Sequence, residues 1–458
     1  MSETNSLNII ILAAGQGTRM KSSIPKVLHS LAGVTLVQHV INTSKKLSPE
    51  SINVVYGHGG EQVQEQINDA DINWVEQAEQ LGTGHAVDQV KQHLKNDQLV
   101  LVLYGDVPLI KVETLTALLE QAKNGFSLLT VSLDNPQGYG RIVRNEKGLV
   151  ENITEEKDAS DEIKKIHEVN TGILAVKADL LKNWLSKLDD NNAQKEYYLT
   201  DIIAMAVKDG FTVETTQPDN EFEVMGINNR LQLSQLERYY QKEQANQLMA
   251  AGITLADPTR IDIRGNLRHG QDIFIDVNTV IEGNVSIGNN VSIGANCVIK
   301  DSKIADNVVI LPMSILDNSS VGKGSKVGPF ARLRPGAVLG NNTHIGNFVE
   351  IKKTYIDDGS KVNHLTYVGD SLVGKNVNIG AGTITCNYDG ANKHQTIIED
   401  NVFIGSATQL VAPVKIGKNA TVGAGSTITS DVSANDLAIT RVKQKSISDW
   451  SRPTKNKK

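Results

Sequence analysis

From Ile275 to about Ala434 an aliphatic residue returns every six positions, with polar and small residues between. The series runs from Ile275 through Ile299 and steps back by one residue at Ile304, Val321, Ile356 and Val373. After one interruption it resumes from Ile398 to Ile428. Such a period fits neither the 3.6 residues of a helical turn nor the plain alternation of a flat sheet. It requires short strands that turn a corner at each repeat, three to a coil, so that each aliphatic residue stacks on its equivalent one coil away. A parallel β-helix satisfies this; a β-sandwich gives no reason for one phase to persist through so many repeats. Glycine often follows the aliphatic position, as at Gly288, Gly294, Gly322, Gly346, Gly374, Gly405, Gly417 and Gly423. The expectation is that these corners need positive φ, with the frequent asparagines the next most tolerant residues.

The first half has a different rhythm. Strand-like apolar runs at 7–14, 52–56, 72–75, 99–104, 126–133 and 171–176 alternate with amphipathic, helix-like runs at 37–47, 61–69, 85–95, 112–123, 180–188 and 199–207. That alternation predicts an α/β fold with a doubly wound, mostly parallel sheet, whose ligands bind at the carboxyl ends of the strands. The stretch 231–251 has helical spacing and no Gly or Pro until Gly252, so it reads as a connecting helix. The predicted division is 1–230, a helical linker at 231–251, and 252–458.

Composition narrows the function classes. At 458 residues the chain is too long for one ordinary core. A net charge of −6 and a pI near 6.0 supply no nucleic-acid footprint, leaving small anions to local basic clusters. Cys297 and Cys386 are far apart and encode neither a disulfide framework nor a zinc site, which agrees with a reducing, cytoplasmic setting. No apolar run reaches membrane-spanning length and the N-terminus is polar, so neither membrane insertion nor secretion is expected. The basic tail at 452–458 reads as a solvated end.

The first candidate chemistry lies at the end of the first strand, in Leu12-Ala13-Ala14-Gly15-Gln16-Gly17-Thr18-Arg19-Met20 followed by Pro25-Lys26. A Gly-rich turn there offers backbone N–H groups to an anion, and Arg19 and Lys26 add charge. It lacks the Lys-Ser/Thr of a Walker A loop, and Met20 stands where a dinucleotide fingerprint needs its third Gly. Gly-x-Gly alone is equally a structural tight turn; Thr18-Arg19 and Pro25-Lys26 favour the phosphate reading. Tyr104-Gly105-Asp106 puts a carboxylate at the ligand edge of the sheet, where it either joins substrate phosphates in holding Mg²⁺ or caps a helix. The combined pattern resembles the sugar-phosphate nucleotidylyltransferases. For that family Gln77, Gly82 and Thr83 match uridine-binding positions, and Gly140, Glu155 and Asn170 match sugar-nucleotide positions. Leu12, Ala13, Ala14, Gly15, Tyr104 and Gly105 line the same site, and Asn228 joins Asp106 on the metal.

The second candidate chemistry lies where the repeat departs from itself. Arg334 and Lys352 are eighteen residues apart and should stack on one face. Two such cations need an anion between them, either a ligand phosphate or an acid such as Glu350. Glu350 stacks with Tyr367. Small Ala381 lies one coil from His364, leaving that imidazole open space for either a structural or a catalytic role. The single long break, Thr385 to Gln395, leaves the solenoid and reads as a binding surface. His364-Leu365-Thr366-Tyr367, Asn378-Ile379-Gly380-Ala381-Gly382-Thr383 and Cys386-Asn387-Tyr388-Asp389-Gly390, with the N-terminal signature, resemble the bifunctional GlmU family across nearly the whole chain. These enzymes fuse an N-acetylglucosamine-1-phosphate uridyltransferase to a glucosamine-1-phosphate acetyltransferase.

That resemblance implies a left-handed β-helix, a homotrimer, and a pyrophosphorylase domain preceding the acetyltransferase. It implies His364 as the base that frees the amine of glucosamine 1-phosphate, and Arg334, Lys352, Tyr367 and Asn378 as holders of that substrate. Ala381, Asn387, Tyr388, Ser406, Ala424 and Arg441 match acetyl-CoA positions. The product then reacts with UTP, with Mg²⁺ on Asp106 and Asn228. The alternatives are a nucleotidylyltransferase whose β-helix only regulates or oligomerises, and a noncatalytic sugar-binding scaffold.

Overall fold

The computed structural model describes residues 6–455 apart from Gln16, His58, Gly59, Asn68 and Ala193. Gln16 of the Gly-rich turn and the last three residues of the basic tail therefore lie outside the described residues. The chain divides into two units, Met1–Tyr240 and Gln241–Lys458.

In the first unit the main sheet is built from β1 (Leu7–Leu12), β2 (Ser51–Gly57), β3 (Ile72–Gln77), β4 (Leu99–Tyr104), β5 (Phe126–Ser132), β6 (Arg141–Arg144), β7 (Val150–Thr154), β8 (Glu168–Lys177) and β9 (Val213–Thr216). The sheet order is β9-β5-β8-β4-β1-β2-β3, with the β6–β7 hairpin joined to β8. Along that order pairing is parallel except at β8, which runs against both β4 and β5; the β6–β7 hairpin is antiparallel. Helices α1 (Leu36–Lys46), α2 (Glu61–Gln66), α3 (Thr83–Asp88), α4 (Val112–Ala122), α5 (Ala178–Leu185) and α6 (Asp201–Lys208) connect the strands. Apolar cores lie on both faces of the sheet, Ile9 and Ile11 in one and Ile10 and Leu12 in the other, as alternation along a doubly covered strand demands. The apolar runs thus became strands and helices close to their predicted places. The β6–β7 hairpin and the edge strand β9 were missed, because their short, largely polar segments carry little periodic signal.

Helix α7 (Arg230–Ala250) occupies the predicted connecting stretch. Within the second unit Ala245 and Leu248 join the apolar core, and Gln241 Nε2 donates to the Ile263 carbonyl at 2.9 Å.

The second unit is a parallel β-helix, each short strand pairing in register with strands one coil away. Ile263 pairs with Ile281, Ile281 with Ile299, and Leu333 with Ile351. The ladder from Ile275 to Ile428 is buried and forms one continuous core. Each such aliphatic side chain contributes about 1.5–3 kcal/mol of burial. The repeat extends beyond the sequence estimate at both ends, from Thr254–Leu255 to Leu437–Ala438.

The corner glycines carry a correction. None of the eight expected to need positive φ has it; left-handed corners fall instead at residues such as Asn278, Asn296 and Asn342 and at other glycines such as Gly324, Gly359 and Gly425. Glycine follows the ladder because the next coil passes too close for a side chain. A Cβ on Gly346 would lie 2.0 Å from the Asn363 carbonyl oxygen, and one on Gly405 would lie 2.4 Å from the Ala424 nitrogen.

Candidate functional sites

In the first unit the carboxyl ends of β1, β3 and β4 open on a cavity of about 500 Å³. Leu12, Ala13, Ala14, Gly15, Arg19, Lys26, Gln77, Gly82, Thr83, Tyr104, Asp106 and Asn228 line it, twelve of the sequence candidates. Gly17 has φ 62°, and a Cβ there would come within 2.6 Å of Lys26 Cβ, so glycine lets Lys26 close over the turn. The Lys26 ammonium bonds Asp106 Oδ2 and donates to Asn228 Oδ1 at 3.0 Å; Arg19 Nη2 donates to the same Asn228 oxygen at 3.0 Å. Asn228 is held beside Asp106 because the Ile227 N–H donates to the Asp106 carbonyl at 2.9 Å. Asp106 caps no helix; the cap position of α4 is Lys111.

Gly105, Gly140, Glu155 and Asn170 do not line this cavity. Gly140 accepts the Asn170 N–H at 2.8 Å. A Cβ on Gly140 would lie 3.3 Å from both Glu155 carboxyl oxygens. The strand from Asn170 to Gly172 lies against Tyr104, since a Cβ on Gly172 would meet the Tyr104 ring. Burial raises the Glu155 pKa, and the nearby Asp158 and Asp201 act the same way. Tyr104 is raised too, by burial and then by the fields of Asp106 and Glu155.

Two polar cavity residues, Gln80 and Glu196, had no role assigned from the sequence. Gln80 donates from Nε2 to the Ala14 carbonyl at 2.5 Å, tying the Gly-rich turn to the loop after β3. Glu196 enters from the 189–200 loop, whose Tyr197 N–H donates to Leu81 O and whose Tyr197 carbonyl accepts the Gly84 N–H, both at 2.8 Å. No spacing in the sequence relates that loop to the strand ends.

Asp106 and Asn228 present two hard oxygen donors to one point, and a cation, the Lys26 ammonium, already lies between them. That donor set suits Mg²⁺, which takes one or two protein oxygens and completes its shell with water and substrate phosphates. Among the described residues no three His, Cys, Asp or Glu side chains cluster to hold a metal without such help.

In the second unit, Arg334 and Lys352 occupy equivalent places in adjacent coils, each following a ladder residue of the Leu333–Ile351 pair. Each has an acid partner: Arg334 Nη1 with Glu350 Oε1 at 2.8 Å, and Lys352 Nζ with Asp370 Oδ2 at 3.6 Å. Glu350 pairs in register with Tyr367. Asn387 Nδ2 donates to Asp370 at 2.5 Å and lies 3.5 Å from Tyr367 Oη. The insertion adds a cation that sequence reading missed, Lys393, whose ammonium lies against that of Lys352; this proximity lowers the Lys393 pKa. A cation-rich point with too few acids is suited to phosphate.

The insertion is ordered by its own polar groups. Asp389 accepts from the Asn392 and Ala391 N–H groups at 2.6 and 2.8 Å and from His394 Nε2 at 2.7 Å. These bonds hold its carboxyl well below the usual range. Tyr388 is exposed, its hydroxyl donating to Gly390 O at 2.5 Å.

His364 is exposed, and its Nδ1 lies 2.7 Å from Asn347 Oδ1. A carboxamide oxygen only accepts, so Nδ1 carries the proton and Nε2 keeps a free lone pair. Ala381, Ser406 and Ala424 follow one another along three coils: Ala381 O accepts the Ala407 N–H at 2.7 Å, and Ser406 O accepts the Gly425 N–H at 2.8 Å. Arg441 Nη1 donates to Ala424 O at 2.8 Å, closing the end of this small-residue column. Asn378 stands on the strand row that leads into this column, paired with Lys361 and Phe403, and not on the row of Glu350 and Tyr367.

Residues 9–167 match the MobA-like NTP transferase domain, 263–343 the GMPPB C-terminal domain, and 395–430 the bacterial transferase hexapeptide (six repeats). The bifunctional protein GlmU of Marinobacter nauticus is 59% identical over 450 residues, which cover 98% of this chain and 99% of the relative. Among solved structures, a nucleotidyl transferase from Methanothermobacter thermautotroptrophicus is similar over 52% of this chain and 98% of its own, at 21% identity and a TM-score of 0.39. UDP-glucose pyrophosphorylase complexed with UDP-glucose is similar over 52% and 99%, at 16% identity and a TM-score of 0.44. With a Gly-rich turn and carboxylate at the sheet edge of the first unit, a hexapeptide β-helix as the second, and a bifunctional relative matched end to end, the chain belongs to the bifunctional GlmU family, with nucleotidyltransferase and hexapeptide acetyltransferase domains.

Proposed function

We propose that the chain makes UDP-N-acetylglucosamine in two steps, acetylating glucosamine 1-phosphate in the second unit and uridylating the product in the first. The reading is carried by one observation: each unit gathers cations for a phosphate beside the groups its own chemistry needs. In acetyl transfer, Arg334, Lys352 and Lys393 hold the sugar phosphate, with Tyr367, Asn378 and Asn387 positioning the ring. The free Nε2 of His364 takes a proton as the substrate amine attacks the thioester carbonyl. The carbon–sulfur bond then breaks, and the departing CoA thiolate recovers a proton. Ala381, Ser406 and Ala424 leave room for acetyl-CoA along the column that Arg441 closes, with Asn387 and Tyr388 on the insertion side.

In uridyl transfer, a phosphate oxygen of N-acetylglucosamine 1-phosphate attacks the α-phosphorus of UTP in line and pyrophosphate leaves. Leu12 to Gly15, Gln77, Gly82 and Thr83 receive the nucleoside, and Tyr104, Gly105, Gly140, Glu155 and Asn170 receive the sugar. Arg19 and Lys26 steady the phosphates. Asp106 and Asn228 would hold Mg²⁺, which supplies positive charge against the phosphates. The family reading also gives a left-handed winding, a homotrimer and a cytoplasmic location. No helix among the described residues is long and apolar enough to cross a membrane.

Purified full-length variants test the two-site assignment. Lys26→Ala suppresses pyrophosphate release from UTP and N-acetylglucosamine 1-phosphate while CoA release continues. His364→Ala reverses the pattern. Loss of both activities in either folded variant overturns the assignment.

A further inference from the structure

Gln77 ends β3 at the cavity and is only 3% exposed. Its amide nitrogen donates to the Gly82 carbonyl at 3.1 Å and lies 3.1 Å from His85 Nδ1, on the first turn of α3. A carbonyl only accepts, so the nitrogen, not the oxygen, must occupy that side of the Gln77 amide. Its second N–H then points at His85 Nδ1, which must be an acceptor. That selects the neutral imidazole with its proton on Nε2. With both N–H groups engaged, the only polar atom Gln77 can offer the cavity is its amide oxygen.

The His85 ring is itself located by two neighbours. Tyr197 lies against it, with ring centroids 6.4 Å apart, and Gln89 Nε2 lies 3.1 Å from its Nε2. As placed, Gln89 also donates to the His85 carbonyl at 3.1 Å, so its nitrogen faces a ring atom that Gln77 requires to be a donor. Gln77 is the more constrained amide, buried against a carbonyl; half-buried Gln89 reaches solvent and can swing away from the ring and the His85 carbonyl, leaving its bonds to water.

We propose that His85 sets the base specificity of uridyl transfer by locking the Gln77 amide with its oxygen toward the base. An acceptor there accepts a ring N–H, which uracil has at N3. Cytosine has a lone pair at that atom, and an acceptor facing it leaves both unpaired. A site built to accept a hydrogen bond rejects an analogue that cannot donate it. This rests on the reading that Gln77 belongs to the base subsite. His85 is a positioning residue, acting on the base through Gln77.

The test is the ratio of kcat/KM for UTP to that for CTP in full-length protein. CoA release by the second unit reports that the preparation is intact, and thermal melting reports on the first. His85→Phe keeps a ring against Tyr197 but removes the acceptor, and the expected result is a fall in the ratio of about tenfold or more, expressed in KM for UTP rather than in kcat. His85→Gln, which can return an amide oxygen to the Gln77 nitrogen, retains more of the ratio. His85→Ala replaces the phenylalanine variant if that fails to fold. An unchanged ratio in a folded variant lacking the acceptor overturns the proposal. Gln77→Ala separates the two layers. If it loses the ratio while the acceptor-free His85 variant keeps it, only the locking role falls; if it leaves KM for UTP and the ratio intact, the base-subsite reading falls as well.

Discussion

The residues proposed to carry the chemistry are mostly those whose neighbours come from elsewhere in the chain. Lys393 is the plainest case. In sequence it is one lysine in a polar loop, and it gains meaning only where its ammonium meets Lys352. Two cations held together are unfavourable until a phosphate joins them, so Lys393→Ala should raise KM for glucosamine 1-phosphate about tenfold and leave uridyl transfer unchanged, as steady-state kinetics of both half-reactions would show. Asp201, the first residue of α6, is a second case. Burial, then Asp189 and Asp158, push its pKa from 3.8 to about 6. The folded state therefore holds this proton more tightly than the unfolded chain. That contribution to stability is fully present below 3.8 and is lost as pH rises through about 6. Asp201→Asn should accordingly raise the melting temperature of the first unit at pH 7.5, with the gain shrinking toward pH 4, measured by thermal denaturation across that range.

At the scale of elements, periodic segments were legible and aperiodic ones were not. A ladder residue such as Ile351 announces itself because its burial is repeated every coil, and the strands ending at Leu12, Gln77 and Tyr104 show as apolar runs. The β6–β7 hairpin and the 189–200 loop have no such period, and Glu196 went unnoticed with them. The reason for the corner glycines was also misread, since local φ preferences say nothing about how closely the next coil passes. The insertion at 385–395 was found as an interruption, but its internal order rests on Asp389. Asp389→Ala removes an acceptor serving two backbone N–H groups and His394. Limited proteolysis should then cut within the loop faster than in the parent, and CoA release should fall several-fold. Uridyl transfer serves as the control and should hold.

For the whole molecule, the two units keep separate cores and separate candidate sites, so conditions that disable one chemistry should spare the other. Chelation by EDTA is expected to stop pyrophosphate release, with recovery on adding Mg²⁺, while CoA release persists; parallel inhibition of both would count against a metal requirement confined to the first unit. By itself the sequence determined the succession of an α/β sheet and a hexapeptide β-helix, because burial on a repeating backbone leaves a repeating apolar pattern. It also located the Gly-rich turn, Asp106 and the insertion, because each interrupts or ends such a pattern, and it singled out His364 by its register beside small Ala381 and by the family motif around it. Only the tertiary structure decided that Lys26 lies between Asp106 and Asn228, that Asn347 fixes the proton of His364, that Lys393 joins Lys352, and that His85 holds Gln77. These meetings depend on coil register and loop path, which bring together side chains at separations no local period encodes.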